Sequence, residues 1–273
     1  MHLHDVAGVQ VGLETLGDEG DRPVLHLHGF PVDHAGLEVP LERMYASRPG
    51  WRRVYVDLPG FDIAPPSDAV GSSDDALRVV LALVDELADN GPVALVGMSW
   101  GGYLAPAAAV RRREAVAGLA LICPMTVPDH DARDLPDVPP VQVPPEVAAG
   151  MDAADLAEFR DVAVVADARH AAFFRDAVLP GLRGADPGAV ERIGARYALT
   201  DDTAHAPFDG PVVIVTGRQD GITGYRDAWR FAETLPHATF AVLDAAGHHL
   251  HVEREAATAA LLGDWLDAVG ALA

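Results

Sequence analysis

Five residues, Gly97-Met98-Ser99-Trp100-Gly101, constrain this chain more than any other stretch. They follow the apolar run Val93-Ala94-Leu95-Val96, which reads as a buried strand. They precede Tyr103-Leu104-Ala105 and an Ala-rich stretch ending in Arg111-Arg112-Arg113, which reads as a helix. A G-x-S-x-G set between strand and helix is the sequence form of a nucleophile elbow. So tight a turn leaves room only for small residues around the serine. It holds the hydroxyl above the edge of a sheet, at the positive end of a helix dipole. The pattern also arises by chance in a chain with 26 glycines, so its meaning rests on the strand and helix around it.

The rest of the chain repeats the alternation. Strands are expected around His2–Val6, Val9–Leu16, Pro23–His28, Arg53–Asp57, Val116–Ile122, Pro211–Gly217 and Ala238–Leu243. Helices are expected over Leu37–Ser47, after Ser73-Asp74-Asp75 with the stripe Leu77, Val80, Leu81, Val84 and Leu87, over Tyr225–Leu235, and over Glu255–Val269. Strands alternating with helices argue for a mostly parallel sheet covered on both faces. Such sheets bind ligands beyond the carboxyl ends of their strands. The stretch from Met125 to about Pro207 breaks the pattern with a proline-rich crossing, Leu135–Pro145, and helix-like runs over Ala153–Val178 and Pro187–Tyr197. It reads as a helical insertion over the catalytic edge. The expected division is a core of 1–124 and 208–273 with a cap of 125–207.

A serine at an elbow needs a base to take its proton, and the base needs a carboxylate to fix its tautomer. Both must come from loops at the same sheet edge. After the strand Val212–Thr216 the chain reads Gly217-Arg218-Gln219-Asp220; after Phe240–Leu243 it reads Gly247-His248-His249-Leu250-His251. Ser99, Asp220 and His248 follow the chain order expected of an elbow serine. His249 and His251 are rivals for the base, and Asp227 is a weaker rival for the acid. Taken singly, a loop Asp is usually a solvated turn residue and a lone His is usually structural. The oxyanion needs two backbone N–H donors, expected from Trp100 and from Phe30 in the loop after Leu25–His28. His28 is expected to support that loop. His34, Met125, Phe159, Phe173 and Phe174 are candidate substrate contacts, with simple packing of the insertion onto the core as the alternative for the aromatics; Tyr197 is read in the same way.

Composition bounds the partners. The 20 basic residues are all Arg, against 41 acidic ones, for a net charge of −21. Such acidity argues against nucleic acid or an anionic membrane as partner, and the lack of Lys excludes a lysine nucleophile, a Schiff base and a P-loop lysine. The single cysteine, Cys123, cannot form an internal disulfide and fits a reducing, cytoplasmic setting. The opening residues show no basic segment followed by an apolar stretch, so no secretory signal is expected. No apolar run reaches membrane-spanning length. The oligomeric state, monomer or homodimer, is not legible.

Together, His28-Gly29-Phe30-Pro31, Asp57-Leu58-Pro59-Gly60-Phe61, Gly97 to Gly102, Gly217-Arg218-Gln219-Asp220 and Gly247-His248 resemble the α/β-hydrolase superfamily, in its single-domain, serine-nucleophile form with a helical cap. The resemblance runs over essentially the whole chain. It implies an eight-stranded sheet, no metal or organic cofactor, and hydrolysis of an ester, thioester or lactone of a small to medium organic substrate through an acyl-enzyme. Relatives resembling proline iminopeptidases, C–C bond hydrolases or cofactor-free haloperoxidases use the same constellation, and the fold also serves non-catalytic receptors. Dehalogenases and epoxide hydrolases place an aspartate where this chain has Ser99. One departure stands out: Asp62 occupies a place where many relatives have glycine. Asp tolerates a left-handed backbone better than most residues.

Overall fold

The computed structural model of the protein describes residues 1–271. Eight strands form one sheet in the order β1-β2-β4-β3-β5-β6-β7-β8. They are β1 (His2–Val6), β2 (Val9–Leu16), β3 (Arg22–Leu27), β4 (Trp51–Asp57), β5 (Val93–Met98), β6 (Val116–Ile122), β7 (Val212–Gly217) and β8 (Ala238–Leu243). β1 and β2 pair antiparallel and β2 joins β4 antiparallel; every pairing from β4 to β8 is parallel. The sheet is therefore mostly parallel, and its central strands are apolar on both faces because helices cover both.

Alternation divides the core in two. Leu25, Val54, Leu95, Leu119 and Ile214 point to one face, under α2 (Ser73–Leu87) and α3 (Gly101–Arg111). Val24, Tyr55, Val96, Ala120 and Val213 point to the other, under α1 (Ala35–Tyr45) and a long closing helix. Helix α2 starts where its sequence directs. Ser72 accepts from the Asp75 N–H at 3.1 Å, and Asp74 and Asp75 sit in the positive first turn.

Between β6 and β7 the chain leaves the sheet. This segment holds α4 (Pro145–Ala148), α5 (Ala153–Val162), α6 (Ala168–Phe173), one wide turn at Phe174–Val178, α7 (Leu179–Gly184) and α8 (Pro187–Ala195). Asp152, Asp167 and Asp186 cap α5, α6 and α8 with their side chains. The expected helix over Ala153–Val178 is in fact two: Ala163 turns to extended backbone at ψ 137°, and α6 restarts at Asp167. The valines of the Val162-Ala163-Val164-Val165 run have low helix propensity, and the Val164 and Val165 amides donate to Glu253 rather than to the preceding turn.

The segment lies over the carboxyl ends of the strands. A Cβ at Gly60, just past β4, would lie 2.4 Å from the Ala189 Cβ; one at Gly247, past β8, would lie 2.8 Å from Val164 Cγ2. After β7 the chain forms α9 (Arg226–Ala232), and after β8 it ends in α10 (Leu250–Glu253) and α11 (Glu255–Gly270). Among the described residues, no helix is long and apolar enough to cross a membrane.

Candidate active site

The elbow is built from close backbone approaches. Ser99 sits at φ +53°, the left-handed region that an L-residue enters only under constraint. A Cβ on Gly97 would meet the Gly101 carbonyl oxygen at 2.4 Å, and one on Gly101 would meet the Leu27 carbonyl oxygen at 2.1 Å. The Gly101 N–H donates to the His28 carbonyl at 3.0 Å, tying the elbow to the loop after β3. Ser99 itself is fixed by backbone alone: its N–H donates to Ile122 and its carbonyl accepts from the Met125 N–H at 2.9 Å. The Ser99 hydroxyl makes no hydrogen bond to any described residue.

That loop brings a second donor near. Gly29 lies beside the serine, where a Cβ would stand 3.3 Å from Ser99 Cβ. Among the described residues, the amide N–H groups of Phe30 and Trp100 donate to no protein acceptor, whereas those of Ser99 and Gly101 are both engaged. Two free donors flanking a serine hydroxyl suit an oxyanion. His28 holds this loop, as its place in the sequence suggested: its Nδ1 donates to the Gly29 carbonyl at 2.6 Å, and its Nε2 accepts the Leu58 N–H at 3.2 Å. Burial lowers the pKa of its imidazole, and the neutral ring fills both roles. The Trp100 side chain is turned away into an aromatic cluster with buried Phe61 and half-buried Phe30 and Tyr197, its indole N–H on Ser73.

Two strands further on, His248 and Asp220 meet. His248 Nδ1 donates to Asp220 Oδ2 at 3.1 Å. Oδ2 also accepts the Thr223 hydroxyl at 2.7 Å, and Oδ1 accepts the N–H groups of Ile222 and Thr223. Burial alone would raise the Asp220 carboxyl, but the charge and hydrogen bond of His248, with the Thr223 and Ile222 donors, hold it well below the usual carboxylate range. The Asp220 and His248 loops are locked together, since a Cβ on Gly217 would meet the Gly247 carbonyl oxygen at 2.4 Å. No hydrogen bond joins His248 to Ser99; the two stand on the same edge, with the Met98–Ile122, Ile122–Val215 and Val215–Ala241 pairings setting the spacing between their strands. Such contacts often close only when substrate is bound.

The rivals are elsewhere. His249 bonds His170 Nε2 at 3.0 Å inside the insertion, His251 bonds the Gly36 carbonyl, and Asp227 holds the Asp134 N–H and Arg230. The candidate substrate contacts divide as well. Phe159 and Phe174 are fully buried against each other, with His170 on Phe159 and His249 on Phe174, so they form the insertion's own core rather than a cavity wall. Phe173 faces an outer groove beside Val39 and Arg43. Met125 is buried beneath the elbow. His34 is held by Asp57 at Nδ1, 2.8 Å, and by Glu38 at Nε2, 3.3 Å, which leaves its ring no free nitrogen for a ligand. A groove of about 630 Å³ that sequence reasoning missed has His248 in its wall, with Pro136, Pro139, Val141, Val164 and Ile222. Another of about 520 Å³, at Trp51, Gly91 and Gly210, lies at the amino ends of the strands, away from this chemistry.

Among the described residues, two groups place three ligating atoms within 4.8 Å of one another: Cys123 with Asp220 and His248, and His34 with Asp57 and Asp62. In the first, the Cys123 thiol, pushed well up by burial and the Asp220 charge, donates to the Gly247 carbonyl, and Asp220 and His248 are already bonded to each other. In the second, both imidazole nitrogens are already committed. Asp62 itself adopts φ +44°, the left-handed conformation its place in the loop requires.

This fold and this edge define an α/β hydrolase. The chain belongs to the α/β-hydrolase fold family, whose model matches residues 22–255. It is 27% identical over 278 residues to a 2-hydroxymuconate semialdehyde hydrolase of Pseudomonas sp. (strain CF600), covering 95% of this chain and 91% of that one. It is 36% identical over 131 residues to a pimeloyl-[acyl-carrier protein] methyl ester esterase of Shewanella woodyi, a match spanning 47% of this chain and 45% of that esterase. Among solved structures, an α/β superfamily hydrolase from Oenococcus oeni PSU-1 superposes with a TM-score of 0.85 at 22% identity, over 99% of this chain and 100% of that one.

Proposed function

We propose that this hydrolase cleaves a carboxylic ester, thioester or lactone of a small to medium organic substrate through an acyl-enzyme on Ser99. The observation that carries the reading is the His248–Asp220 pair, oriented by a fully engaged carboxylate, on the sheet edge where Ser99 is held at positive φ.

Each group has one task. Ser99 Oγ attacks the carbonyl carbon and its proton passes to His248 Nε2. Asp220 holds the Nδ1–H and stabilises the imidazolium. The developing oxyanion takes the free N–H groups of Phe30 and Trp100. Collapse expels the alcohol, thiol or ring oxygen, which takes the proton from Nε2. Water then gives a proton to the same nitrogen and attacks the acyl carbon, and collapse releases the acid as Nε2 returns that proton to Ser99 Oγ. Residues 125–207 act as the cap that shapes the acyl or leaving-group site, and the groove beside His248 is its nearest opening. The free, buried thiol of Cys123 fits a reducing cytoplasm.

The test is labelling by a fluorophosphonate, followed by a panel of chromogenic esters, lactones and aminoacyl arylamides. Labelling that is absent from Ser99→Ala, with turnover of esters or lactones, is expected. A second reading, carbon–carbon bond hydrolysis with the same residues, is supported by the near full-length likeness to the semialdehyde hydrolase. Turnover confined to a meta-cleavage-type keto acid, added to the same panel, would select it.

A further inference from the structure

Glu253 is buried with its side chain fully enclosed, and the mechanism above does not use it. Its carboxylate accepts three backbone N–H groups from two different parts of the molecule. Oε1 takes those of Val164 and Val165, at 2.7 and 2.8 Å, in the extended stretch that interrupts the insertion. Oε2 takes that of Gly247 at 2.6 Å, the residue directly before His248. The Gly247 carbonyl is held from the other side by the Cys123 thiol, at 3.6 Å. Gly247 is also where the two parts touch, since any Cβ there would press on Val164 Cγ2 and on the Val162 carbonyl. Around the carboxylate, His170 Nδ1 lies 3.5 Å from Oε1 and donates to the Val165 carbonyl at 2.9 Å.

We infer that Glu253 is a positioning residue that couples the seating of the cap to the placing of the catalytic base. The inference rests on the assignment of His248 as that base. With the 162–165 stretch seated, both carboxylate oxygens are satisfied and Gly247, the residue leading into His248, is held at its N–H and its C=O. Lifting that stretch removes two charge-assisted hydrogen bonds from a buried carboxylate, which is far more costly than losing exposed ones. The carboxylate then has to reorient, and its hold on Gly247 goes with it. A closed cap and a placed imidazole are thus one state of the molecule. The opened cap releases product with the base slack, so no half-closed form turns over.

Glu253→Gln tests this with little change of volume. An amide offers one acceptor oxygen, so either Gly247 or the Val164–Val165 pair must face an NH2 group. The expected result is a fall in kcat on a chromogenic ester of tenfold or more, with KM changed less than threefold. Fluorophosphonate labelling slows in parallel, and hydrogen exchange rises in both 160–166 and 245–250. Exchange that rises in only one of the two segments, or labelling at the wild-type rate, overturns it. Should the variant fail to fold, native-state exchange of the wild type decides. The amides of Val164, Val165 and Gly247 are expected to share one opening free energy, and separate openings overturn the coupling. A wild type that is not labelled at all refutes the hydrolase reading instead, and the exchange data still judge the coupling.

Discussion

His248 Nδ1 donates to Asp220 Oδ2 at 3.1 Å, and the other acceptor positions of that carboxylate are filled by Thr223 and Ile222 of its own loop. The carboxylate therefore cannot rotate to a second partner, and the imidazole that it fixes presents Nε2 outward. Asp220→Asn keeps the shape and reverses the donor at Nδ1. It is expected to lower kcat about 10⁴-fold with the fold intact, because the imidazole is held in the wrong tautomer. Steady-state kinetics with a thermal melt check it.

Thr223 supports the same carboxylate from behind. Its hydroxyl donates to Asp220 Oδ2 at 2.7 Å and is buried, also within reach of the Cys123 carbonyl. Thr223→Val preserves volume and removes that donor. The expected cost is about 1–2 kcal/mol of stability and roughly a tenfold loss of kcat. Urea denaturation beside ester kinetics measures both.

Much of this site was legible before any coordinates. The glycines of the elbow and the glycine ahead of His248 announce places where backbone meets backbone, and strand ends announce a shared edge. The Ser99, Asp220, His248 order follows from those local signals. What was not legible is what depends on contacts between distant segments. Glu253 ends the four-residue helix α10, too short to carry a pattern of its own, and only the return of the 162–165 stretch gives its carboxylate a role. Phe159 and Phe174 illustrate the same limit: aromatic residues on an insertion look alike whether they line a pocket or pack its interior. Here the two rings pack on each other, and His170 and His249, which no sequence pattern places beside them, cover them. The break in the long helix at Ala163 was hidden because no Pro or Gly marks it.

Gly101 sets the stability of the elbow. A Cβ there falls 2.1 Å from the Leu27 carbonyl oxygen and 2.8 Å from that of His28, both backbone atoms of the neighbouring strand and its loop. Neither can move without breaking the β3–β5 pairing. Gly101→Ala is expected to destabilise the protein by about 3 kcal/mol or more and to abolish labelling. A denaturation midpoint unchanged from wild type contradicts this.

Acid sensitivity follows from the buried histidines. Burial lowers His26 and His251 to about 3, and pushes His249 well below its ordinary value. All stay neutral in the folded protein at pH 5, while the unfolded chain takes up protons below about 6.5. The unfolded state thus binds more protons as pH falls, so the stability from these groups is whole above about pH 6.5 and drains away toward pH 3. Each removes about 1.4 kcal/mol per pH unit inside that window. Asp33, raised to about 6 by burial and the Asp57 charge, works the other way: it favours folding at low pH and loses that contribution as pH rises toward 6. One carboxyl does not offset three imidazoles, and the melting temperature is expected to fall steadily from pH 7 to pH 5. A flat or rising profile contradicts it.

The central claim is that Ser99 is the nucleophile and His248 its base. Intact-protein mass spectrometry after incubation with a fluorophosphonate tests it most directly. The account requires one adduct per chain, mapped to Ser99, lost in Ser99→Ala and slowed at least a hundredfold in His248→Ala. An adduct on another residue, or labelling of the His248 variant at the wild-type rate, contradicts it.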